Sequence, residues 1–157
     1  MKRILVILTA LIGLGFSVNA QAIIDKGTCG DNLTWILTGT DNNLTLTISG
    51  TGAMANYDMN KSPWNSHRKN IATLFINNRV TTIGKSAFAY CENLTSISIG
   101  NSVTMIMLNA FLDCNSLTSI NIPNSVAEIG EHAFGNCRSL NINKHSQFGY
   151  ENSRLVF

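Results

Sequence analysis

The sequence predicts a β-rich solenoid, a short array of 23-residue coils preceded by an N-terminal cap made of a β-hairpin and a short helix. Three observations lead there. The octets AFAYCENL (87–94), AFLDCNSL (110–117) and AFGNCRSL (133–140) recur at a fixed spacing of 23 residues. The segments between them alternate apolar and polar residues. The same Asn, Val, Ile and Ala positions also return in every copy. A self-similar period of this length belongs to architectures whose units bury their apolar positions only by stacking on neighbours.

Taken in order, the chain begins with Lys2 and Arg3, an apolar run from Ile4 to Ile12, and the small-residue sequence Val18-Asn19-Ala20. A basic start, an apolar core and small residues at the −3 and −1 positions predict a secretory signal peptide over residues 1–20. The run is too short for a membrane span, and no later run approaches the ~20 apolar residues a spanning helix needs. The mature chain is therefore expected to be exported, with no transmembrane segment, and to reside at the cell surface, in the medium or in the periplasm. Two of the 11 Lys and Arg residues lie in the signal, which leaves nine bases facing nine acids. A balanced charge gives no electrostatic reason to expect nucleic acid or an anionic membrane as partner.

Residues 21–70 form the capping segment. Leu33 to Thr38 and Leu44 to Ser49 alternate around Gly39-Thr40-Asp41-Asn42-Asn43, which predicts a two-stranded hairpin. Ser62-Pro63 offers an N-cap and a first-turn proline for a short helix from Pro63 to about Asn70. Such a segment would cover the open sheet edge that a solenoid exposes at its end.

The repeats span 71–142. Their strands are IATLFI (71–76), LTSISI (94–99) and LTSINI (117–122), with Ile97 and Ile99 facing inward and Ser96 and Ser98 outward. Asn78, Asn101 and Asn124 mark a turn, and the Val80-x-x-Ile83 type of run makes the return side. Gly84 and Gly130 fit a position that requires positive φ or close backbone approach. Met107 replaces the glycine in the middle copy, beside Met105, Leu108 and Leu112. Two readings follow: a local shift accommodates Met107, or these four residues form an apolar outer patch where a partner docks. Over 143–157 the pattern degenerates, since Asn143 and His145 stand where isoleucines are due. That stretch reads equally as an improvised C-terminal cap or as the stump of a longer array.

The pattern L-x-S-I-x-I-x-x-S-V-x-x-I-G-x-x-A-F-x-x-C resembles the BspA-type (Treponema pallidum-type) leucine-rich repeat of surface and secreted proteins in Bacteroidetes and other microbes. Upstream, GTCGDNLTW (27–35), LTISGTGAM (46–54) and SPW (62–64) are similar to the segment that precedes such repeats. The resemblance implies a curved leucine-rich repeat array with a binding or adhesive role outside the cell. It implies no catalytic activity and no cofactor.

Chemistry was weighed against architecture at each reactive residue. One coil of spacing sets Cys91, Cys114 and Cys137 in a column, whereas zinc ligands cluster at short spacings so that four converge on one ion. A buried column of reduced thiols is the expectation. Cys29 stands apart, and a bridge to Cys91 is open to it in an oxidising compartment. His67, His132 and His145 are not placed for general-base work, and no nucleophile, metalloprotease, phosphate-loop or calcium-loop motif occurs. The binding candidates are instead the outward strand positions. Thr73, Ser96, Ser119 and Ile142 form one row, and Phe75, Ser98, Asn121 and Lys144 the next. Four strands give a face of ~400 Å², so weak or multivalent binding of a host matrix or bacterial surface protein is expected. A structural or accessory periplasmic role without a host ligand is the alternative.

Overall fold

The computed structural model describes residues 22–140. The expected signal peptide and the degenerate stretch with Ile142, Asn143, Lys144 and His145 lie outside the described residues. Strands β1 (Ile23–Gly30), β2 (Leu33–Thr40) and β3 (Asn43–Gly50) run as an antiparallel meander. The expected hairpin is β2–β3, but its turn is tighter than the five residues read from the sequence. Gly39 pairs with Leu44 and Thr40 with Asn43, so only Asp41 and Asn42 turn, Asp41 with φ 37°. Strand β1 escaped the sequence reading because register shifts between Ile23 and Asp25 and between Thr28 and Gly30 break its alternation.

β4 (Gly52–Ala53) follows, and then a 3-10 helix at Asn65–Asn70, shorter than expected. Ser62 does not cap it through its hydroxyl; its carbonyl accepts the Asn65 amide at 3.0 Å, and Trp64 holds the N-cap position. The remaining strands are β5 (Ile71–Ile76), β6 (Val80–Ile83), β7 (Ser96–Ile99), β8 (Met105–Ile106) and β9 (Glu128–Ile129).

Two sheets result, ordered β1-β2-β3-β5-β7 and β4-β6-β8-β9. From β3 onward every pairing in the first sheet is parallel, as are all those in the second. Thr73 lies opposite Ser96, Ile83 opposite Ile106, and Ile106 opposite Ile129, each pair 23 residues apart. The sequence reading divides the chain at residue 70, yet the first sheet runs through that point, with Leu46 opposite Leu74 and Ile48 opposite Ile76. Residues 117–122, expected as a third repeat strand, form none. Asn121 is a poor strand former, and Pro123 removes a donor just beyond it.

The turns that carry the octets make a third side. Phe88 N donates to Ala110 O at 2.8 Å and Phe111 N to Ala133 O at 2.7 Å, while Tyr90 N and Asp113 N donate to Leu112 O and Gly135 O. Left-handed backbone recurs at Ser86, Asn109 and His132 and again at Tyr90, Asp113 and Asn136, with φ between 51° and 62°. Inside this wall the rings of Trp64, Phe88, Phe111 and Phe134 stack at 5.2 to 5.3 Å. Trp64 Nε1 donates to Ala87 O at 2.9 Å. Trp64 thus supplies the first rung of the ladder that the phenylalanines continue, 24 residues ahead of Phe88. Full burial of such a ring contributes about 1.5–3 kcal/mol, and an offset stack adds about 0.5–1.5 kcal/mol.

Gly84 and Gly130 serve close approach rather than positive φ. A Cβ at Gly84 would overlap the Ala55 carbonyl oxygen, and one at Gly130 would meet Leu108 N at 2.5 Å. Met107 stands between these two glycines in the column and donates its amide to Ile83 O at 3.0 Å.

Candidate binding face

The inward faces of β2, β3 and β5 are filled by Leu33, Trp35, Leu37, Leu44, Leu46, Ile48, Leu74 and Ile76, all buried. Their alternation with polar residues leaves the opposite face of the sheet outward. Cross-strand pairing sets the outward residues in rows. One runs Lys26, Ile36, Thr47, Phe75, Ser98; another runs Ile23, Thr38, Thr45, Thr73, Ser96. Phe75 is 45% exposed in the middle of a surface otherwise dominated by hydroxyls. Ser96 and Ser98 are exposed and Thr73 is half-buried; Ser119 and Asn121 are exposed on the segment that does not join the sheet, and Lys144 lies outside the described residues.

The sequence reading missed how far this face extends. β1, β2 and β3 carry it beyond the repeats through Thr28, Thr34, Thr38, Thr45, Thr47 and Ser49. Alternation in 33–50 signalled the strands. It did not signal that β3 pairs with β5, which makes their outward surfaces one. Five strands give about 500 Å² before relief is counted.

At the carboxyl ends of β3, β5 and β7 the face dips into a groove of about 470 Å³, with Phe75 and Arg79 among its lining residues. Asn77 Nδ2 donates to Ser49 Oγ at 3.0 Å, and Asn78 Oδ1 accepts the Asn101 amide at 3.1 Å. The rim is thereby fixed to strands on both sides.

The other candidate patch is partly buried. Met105, Met107, Leu108 and Leu112 are all half-buried, and the exposed large apolar side chains among the described residues are Ile23, Ile24 and Phe75. The next repeat packs beside part of it, with the Gly130 backbone close to that of Leu108 and Gly135 near Leu112 Cδ1.

The thiols are scaffold. Cys29, Cys91 and Cys114 are buried, Cys137 is half-buried, and all four are free, so the bridge open to Cys29 and Cys91 is not formed. Cys114 Sγ lies 3.4 Å from Phe88 O and Cys137 Sγ 3.2 Å from Phe111 O. Burial pushes the Cys91 thiol up to about 12 and that of Cys29 up to about 11. His67 pairs with Asp25 at 3.4 Å, tying the 3-10 helix to β1, and His132 pairs with Glu131 at 3.5 Å. Among the described residues no three His, Cys, Asp or Glu side chains converge on a point where they could hold a metal ion. Nor is any helix there long and apolar enough to cross a membrane.

Parallel strands stacked at a fixed period, with one sheet face buried and the other presenting an aromatic among hydroxyls, define a β-rich repeat protein of the interaction-scaffold class. Within that class the chain belongs to the BspA type leucine rich repeat region family, which matches residues 65–149. No curated protein matches the sequence. Among solved structures it is similar to a leucine-rich repeat protein from Eubacterium ventriosum, with 28% identity and a TM-score of 0.58. The match covers 71% of this chain and 35% of that one, so this chain spans about a third of that protein's length. A leucine-rich repeat protein from Bacteroides capillosus shares the fold at 20% identity and a TM-score of 0.50, over 71% of this chain and 92% of that one. Leucine-rich repeat domains typically bind proteins, and such proteins are generally non-catalytic.

Proposed function

We propose that this chain is an exported, non-catalytic leucine-rich repeat module, a short solenoid capped by its N-terminal strands, that binds a protein partner through the outward face of its first sheet. The observation that carries the proposal is Phe75, an exposed aromatic whose cross-strand neighbours on the face are Thr47 and Ser98. Aromatic anchors ringed by near-neutral contacts are how interfaces concentrate binding energy. The N-terminal pattern of residues 1–20 supports export, and the family supports a protein as ligand, either a host matrix protein or a bacterial surface protein. Affinity capture with the purified chain, from host matrix extract and from the bacterial envelope, followed by mass spectrometry, tests the proposal. A partner retained at the face is the expected result; an empty capture from both sources contradicts it.

A second reading rests on size. A face of about 500 Å² falls short of the ~800 Å² that each side of a standard interface contributes, which favours an accessory periplasmic role or multivalent display. Protease treatment of intact cells separates these: a surface protein is cut, and a periplasmic one is spared.

A further inference from the structure

Among the residues of the first repeat that differ from both of their counterparts, three lie at the end of β5 and in the turn after it. Phe75 stands where Ser98 and Asn121 are, Asn77 where Gly100 and Pro123 are, and Arg79 where Ser102 and Ser125 are. All three line the same groove. Of the three side chains, that of Asn77 is hydrogen-bonded to the strand before the repeat, at Ser49.

The chemistry of the groove is specific. Arg79 is exposed and enters none of the described ion pairs or side-chain hydrogen bonds, and no residue lining the groove is acidic. Its backbone is nonetheless fixed, since its carbonyl accepts the Gly52 amide at 3.0 Å. An exposed guanidinium on a fixed backbone, with no carboxylate beside it among the described residues, is the complement of a carboxylate from elsewhere, which it can take up bidentately. Phe75 offers an apolar anchor in the same groove. Arginine and aromatic residues are enriched in protein interfaces, from whose cores Lys, Glu and Asp are depleted. The groove's volume lies within the range of small-ligand clefts. β5, the central floor strand, spends its main-chain groups on β3 and β7, so over β5 a ligand is read by side chains.

We infer that this groove takes an acidic polypeptide segment of the partner, with a carboxylate on Arg79 and an adjacent apolar side chain against Phe75. The inference rests on the protein-binding reading above and narrows it to one subsite. Panning a random dodecapeptide phage library on the purified full chain tests it, with the enriched peptides then titrated by fluorescence polarisation. Enriched sequences should share Asp or Glu beside an apolar residue. Arg79→Gln should weaken them about tenfold, the effect of losing one charge-assisted hydrogen bond pair, and Phe75→Ala should weaken them similarly. Added salt should weaken wild type more than Arg79→Gln. Enrichment of peptides without acids, acidic peptides indifferent to Arg79→Gln, or no enrichment would each overturn the inference. So would saturable binding of glucuronate in place of peptide. A captured partner whose affinity falls with Phe75→Ala but not with Arg79→Gln would overturn this inference and leave the protein-binding proposal standing. Both side chains are exposed, and circular dichroism verifies that the variants remain folded.

Discussion

Cys91, Cys114 and Cys137 hold equivalent places in three repeats, yet their surroundings differ, and that difference sets their reactivity. Cys91 is fully enclosed and its thiol is raised by desolvation; Cys114 is raised chiefly by its contact with Cys137. Cys137, at the end of the column, is lowered by the same contact, with Cys114 as its hydrogen-bonding partner. The thiolate is the nucleophile, so a thiol reagent at neutral pH should label Cys137 first in the native chain. Cys29, Cys91 and Cys114 should react only on unfolding; peptide mapping of the labelled sites decides this. The raised pair Cys29 and Cys91 also sets a pH dependence. Their folded pKa values exceed the ordinary value of 9.0, so their contribution is complete below pH 9 and declines as pH rises toward 11 to 12. Denaturant midpoints should therefore fall across that window, and less so in Cys91→Ala. The cysteine column was legible because the residue itself repeats. The left-handed positions were not, since Ser86, Asn109 and His132 share a backbone conformation while differing in side chain.

The elements divide in the same way. β5 was legible to the residue, because IATLFI aligns at a shift of 23 with LTSISI and LTSINI and follows a helix signal. β4 was not: two residues, Gly52 and Ala53, carry no periodicity, and they are strand only because β6 lies beside them. Trp64 was read as part of a capping motif, and its place in the ring stack was hidden by a spacing of 24 and a different side chain. The ladder makes the packing testable. Phe111 is fully buried between Phe88 and Phe134, so Phe111→Ala should cost about 3–5 kcal/mol in chemical denaturation. Trp64→Phe keeps a ring in place and loses the bond to Ala87 O, a loss of about 1 kcal/mol. Gly84→Ala drives a methyl into the Ala55 carbonyl and should destabilise by about 1–3 kcal/mol; a melting temperature equal to wild type would refute that approach.

For the whole molecule the decisive feature is continuity. The three antiparallel strands of the N-terminal segment extend the same sheet that the repeats continue in parallel, so the segment expected to serve as an end cap also supplies much of the outward face. One sequence does not show which strand pairs across a boundary where the repeat stops, and the face was accordingly underestimated. What the sequence did carry was Phe75, Ser96 and Ser98 as outward strand residues. The most direct test of this account is the affinity of a captured partner for wild type and for the variant Phe75→Ala, measured by titration calorimetry. The account predicts affinity at least tenfold weaker in the variant, with its melting temperature unchanged. Equal affinity for both proteins would remove the outward sheet face as the binding surface.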